Sequence, residues 1–448
     1  MENEVKVPGA LVGQAEEKIL SEYEGNPQNT VVRHALSRSA LVNVIYDPSN
    51  EIDVSMRFSL DLKTMPVCNQ KQSGRCWIFA GLNFLRELIA KKIGIKRLEL
   101  SQNYISLYDK IEKCNYALET ILLLGDRDHD DRELSWVLRD PVGDGGQWDM
   151  FVNLVKKYGL MPKDAFPETS QSESTRASNI VIVNSIRKFA SEAAPLLREG
   201  KLEEARALKE SYIEKIYHFL LNCFGVPPQS FDFEYEDEDG YKVERGLTPK
   251  AFFEKYIGNE IDDYVSLINS PTADKPFYKN YTIQYLGNVV EGKKINHLNI
   301  PMERMKELIL NQLKDGTPVW FGSDVGFYRD RESWSWNDGA FDYESAFGLN
   351  PEFEKGAMLD YWNSAMNHAM LIAGVNLVEN VPTKWKIENS WGSEPGDKGY
   401  FAMSASWFDK FVYQAVVHKK FLNSQELAAT MQEPTVLHPW DPMGTLAD

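Results

Sequence analysis

Residues 69–80 read Asn-Gln-Lys-Gln-Ser-Gly-Arg-Cys-Trp-Ile-Phe-Ala, and the cysteine in this stretch, Cys76, follows a short turn that contains Gly74. Unpaired backbone N–H groups at the start of a helix stabilise an anionic sulfur, so Cys76 is a candidate nucleophile if a helix begins there. The spacing of apolar residues predicts such a helix, ending at Gly94. The apolar residues that recur at steps of three and four are Phe79, Leu82, Leu85, Ile89 and Ile93.

Two further polar residues lie near the other end of the chain. His368 is part of Asn-His-Ala-Met-Leu-Ile at 367–372, and Asn389 is part of Trp-Lys-Ile-Glu-Asn-Ser-Trp-Gly at 385–392. A lone cysteine on a helix is more often a small buried hydrophobic residue than a nucleophile. A cysteine combined with a histidine in an apolar strand and an asparagine before Ser-Trp-Gly is the set that a papain-type site assembles in space. The three residues together favour a cysteine peptidase.

The chain resembles the papain superfamily and, within it, the bleomycin hydrolase and aminopeptidase C family of intracellular cysteine peptidases. Ser73 stands where papain has a cysteine, and His368 lies about 290 positions after Cys76 instead of about 130–150. Both departures fit this branch, because it lacks that disulfide and carries a large insertion. The segments that carry the resemblance are NQKQSGRCWIFA at 69–80, DGGQWDM at 144–150, KYGLMPKDAFPE at 157–168, MNHAMLIAGV at 366–375, WKIENSWG at 385–392 and PWDPMGTLAD at 439–448.

The resemblance implies an α+β, papain-like two-lobed fold, with a helical half, a β-rich half, an inserted helical lobe and a C-terminal arm. Helical spacing at 180–189, 193–198 and 202–223 places the insertion, and we expect an acidic turn at 234–240 within it. Strand patterns at 282–285, 318–322, 369–375 and 385–388 place the β-rich half. The predicted segments are an N-terminal arm packed on the catalytic domain (1–57), the helical catalytic half (58–169), an inserted oligomerisation lobe (170–270), the β-rich catalytic half (271–422) and the C-terminal arm (423–448).

Papain-type chemistry assigns a role to each polar residue. His368 would take the thiol proton to give a thiolate–imidazolium pair and later return it to the departing amine. Asn389 would fix the tautomer and orientation of the imidazole ring. Trp77 and Trp391 are expected to shield the site from water.

The tetrahedral intermediate needs fixed hydrogen-bond donors for its oxyanion. The Gln70 side chain and the Cys76 backbone N–H are the predicted donors; Gln72 is a competing candidate, and the six-residue interval favours Gln70 by resemblance. Gly145 and Gly146 permit close approach of another backbone. By resemblance they would hydrogen-bond substrate backbone, although a plain turn explains the same residues equally well.

Residues 433–448 contain three prolines and are predicted to form an extended arm. The resemblance implies that this arm lies in the cleft with its terminal carboxylate facing the substrate's α-ammonium group, which would give aminopeptidase action. Asp448 adds a second carboxylate, which would strengthen or displace this capture of the amine. A disordered tail is the alternative. The competing functions are an endopeptidase whose tail does not reach the cleft and a non-catalytic binding cage.

The composition of the chain limits its possible partners, cofactors and location. The 448 residues carry a formal net charge of −17, which disfavours nucleic acid as a partner. Four cysteines without a C-x-x-C pair, and the lack of a signal-peptide or membrane-span pattern, predict a cytoplasmic protein. Only 75 residues precede Cys76, too few for a long inhibitory pro-segment and the start of the mature domain, so we expect synthesis as an active enzyme. The acidic stretch at 126–131 is typical of a solvated loop, so we expect no metal and no cofactor. The expected partners are peptides with a free N-terminus and, by resemblance, further copies of the chain in a hexamer.

Overall fold

The computed structural model describes residues 13–50, 52 and 55–447. Helices in this part of the chain are concentrated in the first 260 residues, as predicted for the helical half and the insertion. The helices are α1 (Gly13–Glu24), α2 (Pro27–Leu36), α3 (Leu41–Val44), α4 (Cys76–Ile93), α5 (Gln102–Leu124), α6 (Arg132–Arg139), α7 (Trp148–Tyr158), α8 (Ser170–Glu173), α9 (Arg176–Arg198), α10 (Leu202–Phe224), α11 (Pro249–Tyr256), α12 (Met302–Lys314), α13 (Tyr343–Phe347), α14 (Lys355–Asp360), α15 (Ala405–Phe411) and α16 (Ser424–Thr430).

Most strands of the described residues belong to one mixed sheet. The strands are β1 (Leu60–Asp61), β2 (Phe231–Asp237), β3 (Gly240–Leu247), β4 (Tyr264–Ile268), β5 (Asn280–Ile283), β6 (His297–Asn299), β7 (Val319–Ser323), β8 (Arg329–Asp330), β9 (Ser335–Trp336), β10 (His368–Val378), β11 (Val381–Glu388), β12 (Tyr400–Ser404), β13 (Val412–His418) and β14 (Thr435–Leu437). The sheet order is β14-β5-β6-β4-β13-β7-β10-β11-β12-β9-β8, with β1 also paired to β10. Strands β2 and β3 form a separate hairpin.

Helix α4 begins at Cys76 and ends at Ile93, as the sequence pattern predicted. Gly94 closes it with φ of +69°, a left-handed conformation that glycine adopts without steric cost. The next helix, α5, is capped by Ser101, whose hydroxyl accepts a hydrogen bond from the Tyr104 N–H over 3.1 Å. Both helices bury apolar faces in one core, so the start of α4 is held firmly.

The β10–β11 hairpin positions two of the predicted site residues. These strands pair antiparallel, with Leu371 opposite Glu388, so the start of β10 lies beside the end of β11. His368 is the first residue of β10, and Asn389 follows the last residue of β11, as predicted. Antiparallel pairing therefore places the histidine and the asparagine at the same end of the hairpin.

The insertion contributes helices that share a core with the helical half. The two predicted helices at 180–189 and 193–198 are one helix, α9, which continues through Pro195. Its buried residues Ile182, Ile186 and Phe189 belong to the same apolar cluster as residues of α5. The role of this segment in subunit contacts stays a prediction, as do the segment boundaries.

The predicted acidic turn at 234–240 is confirmed only for Glu238 and Asp239, which form the turn of a hairpin. Residues 234–237 belong to β2, which pairs antiparallel with β3, and Asp237 lies opposite Gly240. Phe231 and Phe233 are buried, whereas Asp232 and Glu234 point to solvent. The strand forms because alternate side chains are aromatic and fill an apolar surface, while the acidic side chains between them stay hydrated.

The C-terminal arm is ordered through Ala447, so the alternative of a disordered tail is wrong for the described residues. Strand β14 pairs parallel with β5. Residues Pro442–Ala447 then form a 3-10 helix instead of the predicted extended conformation. The turn is stabilised by Asp441, whose carboxylate accepts a hydrogen bond from the Met443 N–H over 2.9 Å and forms an ion pair with Lys275.

Residues 13–50 form a compact unit together with 338–352. Within this unit the rings of Tyr46 and Phe341 lie 5.7 Å apart, edge to face. Helix α2 begins at Pro27, because the Asn26 side chain caps the helix and proline is tolerated at its first position. In the part of the chain that the structure describes, no helix has the length and apolar character needed to cross a membrane.

Candidate active site

Cys76 lies at the start of α4, directly beside β10. The Ala369 N–H donates a hydrogen bond to the Cys76 sulfur over 3.4 Å, and Ala369 is the residue that follows His368. The cysteine side chain is buried, with 5% exposure. The nucleophile predicted from the start of the chain and the histidine predicted from its end are therefore brought together.

His368 and Asn389 form a hydrogen bond of 2.8 Å between the imidazole Nε2 and the amide Oδ1. The same oxygen accepts a hydrogen bond from the Ser390 N–H over 2.8 Å, which identifies it as the oxygen of the amide. An amide oxygen cannot donate, so Nε2 carries the hydrogen and Nδ1 of the neutral ring is left without one. This tautomer makes Nδ1 the base.

Burial favours the neutral forms of both groups in the described conformation. Burial raises the pKa of the Cys76 thiol to about 11, against the hydrogen bonds from the backbone N–H groups of Ala369 and Trp77. Burial lowers the pKa of His368 to about 4, and the positive charge of Arg329 lowers it further. No hydrogen bond joins Cys76 to His368 among the contacts of these two described residues. A thiolate–imidazolium pair thus requires proton transfer between adjacent groups, after which each charge stabilises the other.

Trp391 covers His368. The two rings stack with centroids 5.0 Å apart and an angle of 28° between their planes. Trp336 and Phe401 pack against Trp391 in turn, and the Arg329 guanidinium lies 5.2 Å from the Trp391 ring centroid. Trp391 therefore limits the access of water to the His368 ring.

Gln70 is held in a fixed orientation. Its Oε1 accepts a hydrogen bond from the Ser390 hydroxyl over 2.5 Å, and its Nε2 donates one to the Ser73 carbonyl over 2.6 Å. The amide nitrogen has two hydrogens, so one is left for another acceptor. The competing candidate, Gln72, is exposed and bonds through its backbone N–H to Glu173.

The Gly145–Gly146 segment contacts the C-terminal arm. The Gly146 N–H donates a hydrogen bond of 3.0 Å to the Leu446 carbonyl, and Lys113 donates one to the Gly145 carbonyl. A Cβ atom on Gly146 would lie 2.5 Å from the Trp77 ring, so only glycine allows this approach. Trp77 supports this segment and donates a hydrogen bond to the Asp144 carbonyl over 2.7 Å. Asp448, predicted to contact substrate, lies outside the described residues.

Comparisons with known proteins agree with this geometry. The model of the peptidase C1-like family matches residues 10–444. This chain belongs to the peptidase C1-like family. It is similar to Aminopeptidase C of Lactobacillus delbrueckii subsp. lactis, at 44% identity over 96% of this chain and 97% of that protein. It is also similar to human bleomycin hydrolase, at 37% identity over 86% of each chain.

The crystal structure of PepW from Lactobacillus rhamnosis HN001 aligns with a TM-score of 0.94 at 41% identity, over 97% of this chain and 99% of that one. The predicted α+β, papain-like fold is confirmed for this C1-like peptidase.

Sequence reasoning missed an ion pair that holds the turn before the nucleophile of this C1-like peptidase. Arg75 is buried and binds the Glu168 carboxylate over 3.0 Å, and its Nε donates a hydrogen bond to the Ser73 hydroxyl over 2.9 Å. Both charged residues lie within segments that carry the family resemblance, which is the signal that could have found them.

The insertion, predicted as an oligomerisation lobe, also contributes to the site. Thr175 donates a hydrogen bond to the Asp144 carboxylate, and Asn179 donates another over 2.9 Å. The Gly74 N–H donates to the same carboxylate over 3.0 Å. The insertion of this C1-like peptidase therefore supports the turn before the nucleophile through Asp144.

A buried ion pair joins the two halves of the site. The Arg86 guanidinium on α4 lies 2.9 Å from the Glu388 carboxylate at the end of β11, and both side chains are under 3% exposed. Asn83, also on α4, donates a hydrogen bond to the same carboxylate over 3.0 Å. Since Glu388 directly precedes Asn389, this pair fixes the helix that carries the nucleophile against the strand that leads to the asparagine.

Proposed function

We propose that this chain is a cysteine aminopeptidase of broad specificity that releases N-terminal residues from peptides through an acyl-enzyme on Cys76. The relatives named Aminopeptidase C support this activity. The observation that carries it is the hydrogen bond from the Gly146 N–H to the Leu446 carbonyl. The chain's own C-terminal arm uses the backbone donor that a longer substrate would need.

In the proposed reaction, Nδ1 of His368 takes the proton from the Cys76 thiol as the sulfur attacks the carbonyl carbon of the first peptide bond. The proton then passes to the departing amine, and the C–N bond breaks. Water, deprotonated by His368, attacks the thioester and releases the N-terminal amino acid. The hydrogen bond to Asn389 keeps Nδ1 as the base throughout.

The oxyanion formed in each attack needs donors that are already in place. The second Nε2 hydrogen of Gln70 and the backbone N–H of Cys76 are the proposed donors. Ser390 and Ser73 support the role of Gln70, because their hydrogen bonds fix the plane of its amide. Trp391 would strengthen the electrostatic interactions by excluding water from one face of His368.

Exopeptidase action would follow from the position of the arm. Leu446 is buried beside Gly322 and bonded to Gly146, and the Thr445 hydroxyl donates a hydrogen bond to the Met366 carbonyl over 2.8 Å. Met366 lies two residues before His368, so the arm approaches the site from both sides. Only a short N-terminal part of a substrate then fits before the scissile bond, and its ammonium group would be captured by the chain's terminal carboxylate.

The test compares one peptide in free and N-acetylated forms. We expect the intact chain to cleave the free peptide and leave the acetylated one, because acetylation removes the ammonium group and adds bulk toward the arm. Removal of residues 445–448 is expected to slow cleavage of the free peptide and to permit cleavage of the acetylated one. Cys76→Ala should cleave neither.

Equal cleavage of both peptides by the intact chain would contradict aminopeptidase action and support an endopeptidase of the same family. Persistent hydrolysis by Cys76→Ala would contradict the nucleophile. Inactivity of the intact chain toward every peptide would support the non-catalytic binding cage.

We also propose a cytoplasmic location and a homohexamer. All four cysteines are free thiols, which supports a reducing compartment. The hexamer rests on the family resemblance. Light scattering coupled to size-exclusion chromatography tests it, and a monomer at micromolar concentration would contradict it.

A further inference from the structure

Arg329 is a half-buried cation, and none of the described residues gives it a carboxylate partner. Its guanidinium lies over the Trp391 ring, 5.2 Å from the centroid, and no ion pair or hydrogen bond joins it to any described residue. Other arginines that are removed from solvent are paired: the buried Arg75 with Glu168, and the partly buried Arg304 with Glu426. A chain with a net charge of −17 has ample carboxylates for such pairing, so the unpaired state of Arg329 needs another explanation.

The surroundings of Arg329 favour an anion. Burial and the nearby charge of Arg331 both lower the pKa of Arg329, so the guanidinium lacks the stabilisation that a carboxylate would give. A planar guanidinium that stacks on an aromatic ring keeps its N–H groups available at the edge. An anion placed there would gain charge-assisted hydrogen bonds.

Arg329 also lies on the side of the site where the leaving peptide must start. His368 hands its proton to the departing amine, so the first residue of the leaving peptide lies beside this ring. Trp391 stacks on His368, and Arg329 lies on Trp391. The two ring contacts put the guanidinium within about 10 Å of the imidazole, roughly the span of three extended residues.

We propose that Arg329 binds a carboxylate in the leaving part of the substrate and so gives the enzyme a preference for peptides that carry an acidic group just after the scissile bond. This proposal rests on the proposed aminopeptidase function and names its preferred substrate class. The carboxylate belongs either to an Asp or Glu side chain at the first or second leaving residue, or to the C-terminus of a very short peptide. The two sources share the same chemistry at Arg329.

Arg329 also has a simpler role, that of covering Trp391 by a cation–π contact. That role predicts an equal effect of substitution on every substrate, because the ring would be perturbed whatever the leaving group. Carboxylate binding predicts an effect on acidic substrates alone. The ratio of kcat/KM values between matched substrates separates the two roles.

The experiment measures kcat/KM for Ala-Glu-Ala amide, Ala-Gln-Ala amide, Ala-Gln with a free C-terminus and alanyl arylamide. The first two differ only in a side-chain carboxylate, and the third supplies a terminal carboxylate. We expect the intact enzyme to prefer Glu over Gln by about tenfold, the usual scale for a charge-assisted hydrogen bond. Arg329→Gln should abolish this preference, and any effect of the lost charge on His368 should change the arylamide and Ala-Gln-Ala amide activities by the same factor. Arg329→Lys should retain part of the preference.

Arg331→Gln is the matched control. Arg331 is exposed two positions further along the chain, and it makes no contact with Trp391. Its substitution is expected to change the Glu-to-Gln ratio by less than about twofold, because the long-range field of an exposed charge is screened. For the intact enzyme, raising the salt from about 0.02 to about 0.5 M should reduce the preference, and this measurement needs no variant.

The proposal is overturned if the intact enzyme shows no preference for either carboxylate, if Arg329→Gln lowers all four activities equally, or if Arg331→Gln has the same effect as Arg329→Gln. If Arg329→Gln loses only the preference for Ala-Glu-Ala amide over Ala-Gln-Ala amide, Arg329 binds a side-chain carboxylate. If it loses only the preference for Ala-Gln with a free C-terminus, Arg329 binds the terminal carboxylate. Failure of the proposed function is distinguishable, because the intact chain would then hydrolyse none of the substrates, including the arylamide.

Discussion

Gln70 and Gln72 have the same side chain two positions apart, yet their surroundings differ. Gln70 is 7% exposed and bonded at both ends of its amide, whereas Gln72 is exposed. A donor that is already oriented stabilises a developing charge without reorganisation. The structural difference therefore supports Gln70 as the oxyanion donor.

We predict that Gln70→Ala lowers kcat by about 10²–10³ with a smaller change in KM, the usual effect of removing one oxyanion donor. Gln72→Ala, the matched control, should change kcat by less than about threefold. Steady-state kinetics on an alanyl arylamide measures both, and thermal unfolding checks that each variant is folded. Equal losses in the two variants would refute the assignment.

His297 is a buried histidine outside the site, and its protonation makes the free energy of unfolding depend on pH. Its Nδ1 lies 2.8 Å from the Ser266 hydroxyl, which also accepts a hydrogen bond from Gln414. Burial lowers the pKa of His297 to about 3. Between about pH 3 and 6.5 the unfolded chain therefore binds a proton at this residue that the folded chain does not. The contribution of His297 to the free energy of unfolding therefore rises with pH across this window and decreases again as the pH falls.

We predict that His297→Gln reduces the slope of the unfolding free energy against pH, measured between pH 4.5 and 6, by up to about 1.4 kcal/mol per pH unit, the value for one proton. Urea unfolding at several pH values measures the slope. His34→Gln, at an exposed position of α2, is the control and should leave the slope unchanged. An unaltered slope in His297→Gln would show that the imidazole does not titrate in this way.

Single residues also show which parts of the site could be predicted from the sequence. Cys76, His368 and Asn389 could be predicted because each lies in a local motif with its own chemistry. Arg329 could not, because its significance depends on a ring contact between β8 and the residues that follow β11. Such a contact leaves no local pattern in the sequence.

Among the elements, α4 and β11 are joined by charge as well as by packing. Arg86 and Glu388 are buried, and Arg86 also donates hydrogen bonds to the Met65 carbonyl and the Cys68 sulfur. Removing one member of a buried pair leaves the other charge without compensation. Glu87 lies 3.3 Å from the Arg86 Nε and limits that cost.

We predict that Glu388→Gln lowers the free energy of unfolding by about 2–3 kcal/mol, somewhat less than the usual 3–5 kcal/mol because Glu87 remains. The double variant Arg86→Met/Glu388→Met should recover part of the loss, since it removes both charges and retains volume. Denaturant unfolding measures each variant. A double variant that is less stable than Glu388→Gln would contradict an electrostatic origin of the loss.

The hairpin of β2 and β3 lies where the sequence carries two conflicting patterns, one typical of a strand and one typical of a turn. Phe231, Phe233 and Tyr235 alternate with acidic residues, and Asp239-Gly240 is a common hairpin turn. The alternating aromatic residues indicate a strand, whereas the run of acidic residues favours a turn. The 3-10 helix at Pro442–Ala447 was unpredictable for another reason, because it forms where the arm meets the surfaces around Gly146 and Met366.

At the scale of the whole molecule, the order of strands explains how two distant residues meet. Strand β10 lies between β7 and β11 within the sheet, and α4 packs on β10. The packing of α4 on β10 therefore brings Cys76 and His368 together, although the residues between 94 and 367 separate them in the sequence. The fold class could be predicted because the motifs belong to a family with one architecture, whereas the path of the insertion and the arm depends on long-range packing.

The central claim is that His368 makes Cys76 reactive although burial alone opposes ionisation of both. Its most direct test is the rate at which iodoacetamide alkylates Cys76 at pH 6, measured by peptide mass spectrometry in the intact chain and in His368→Gln. Because burial raises the pKa of the isolated thiol to about 11, His368→Gln should react at least about tenfold more slowly. Equal rates in the two proteins would contradict the claim.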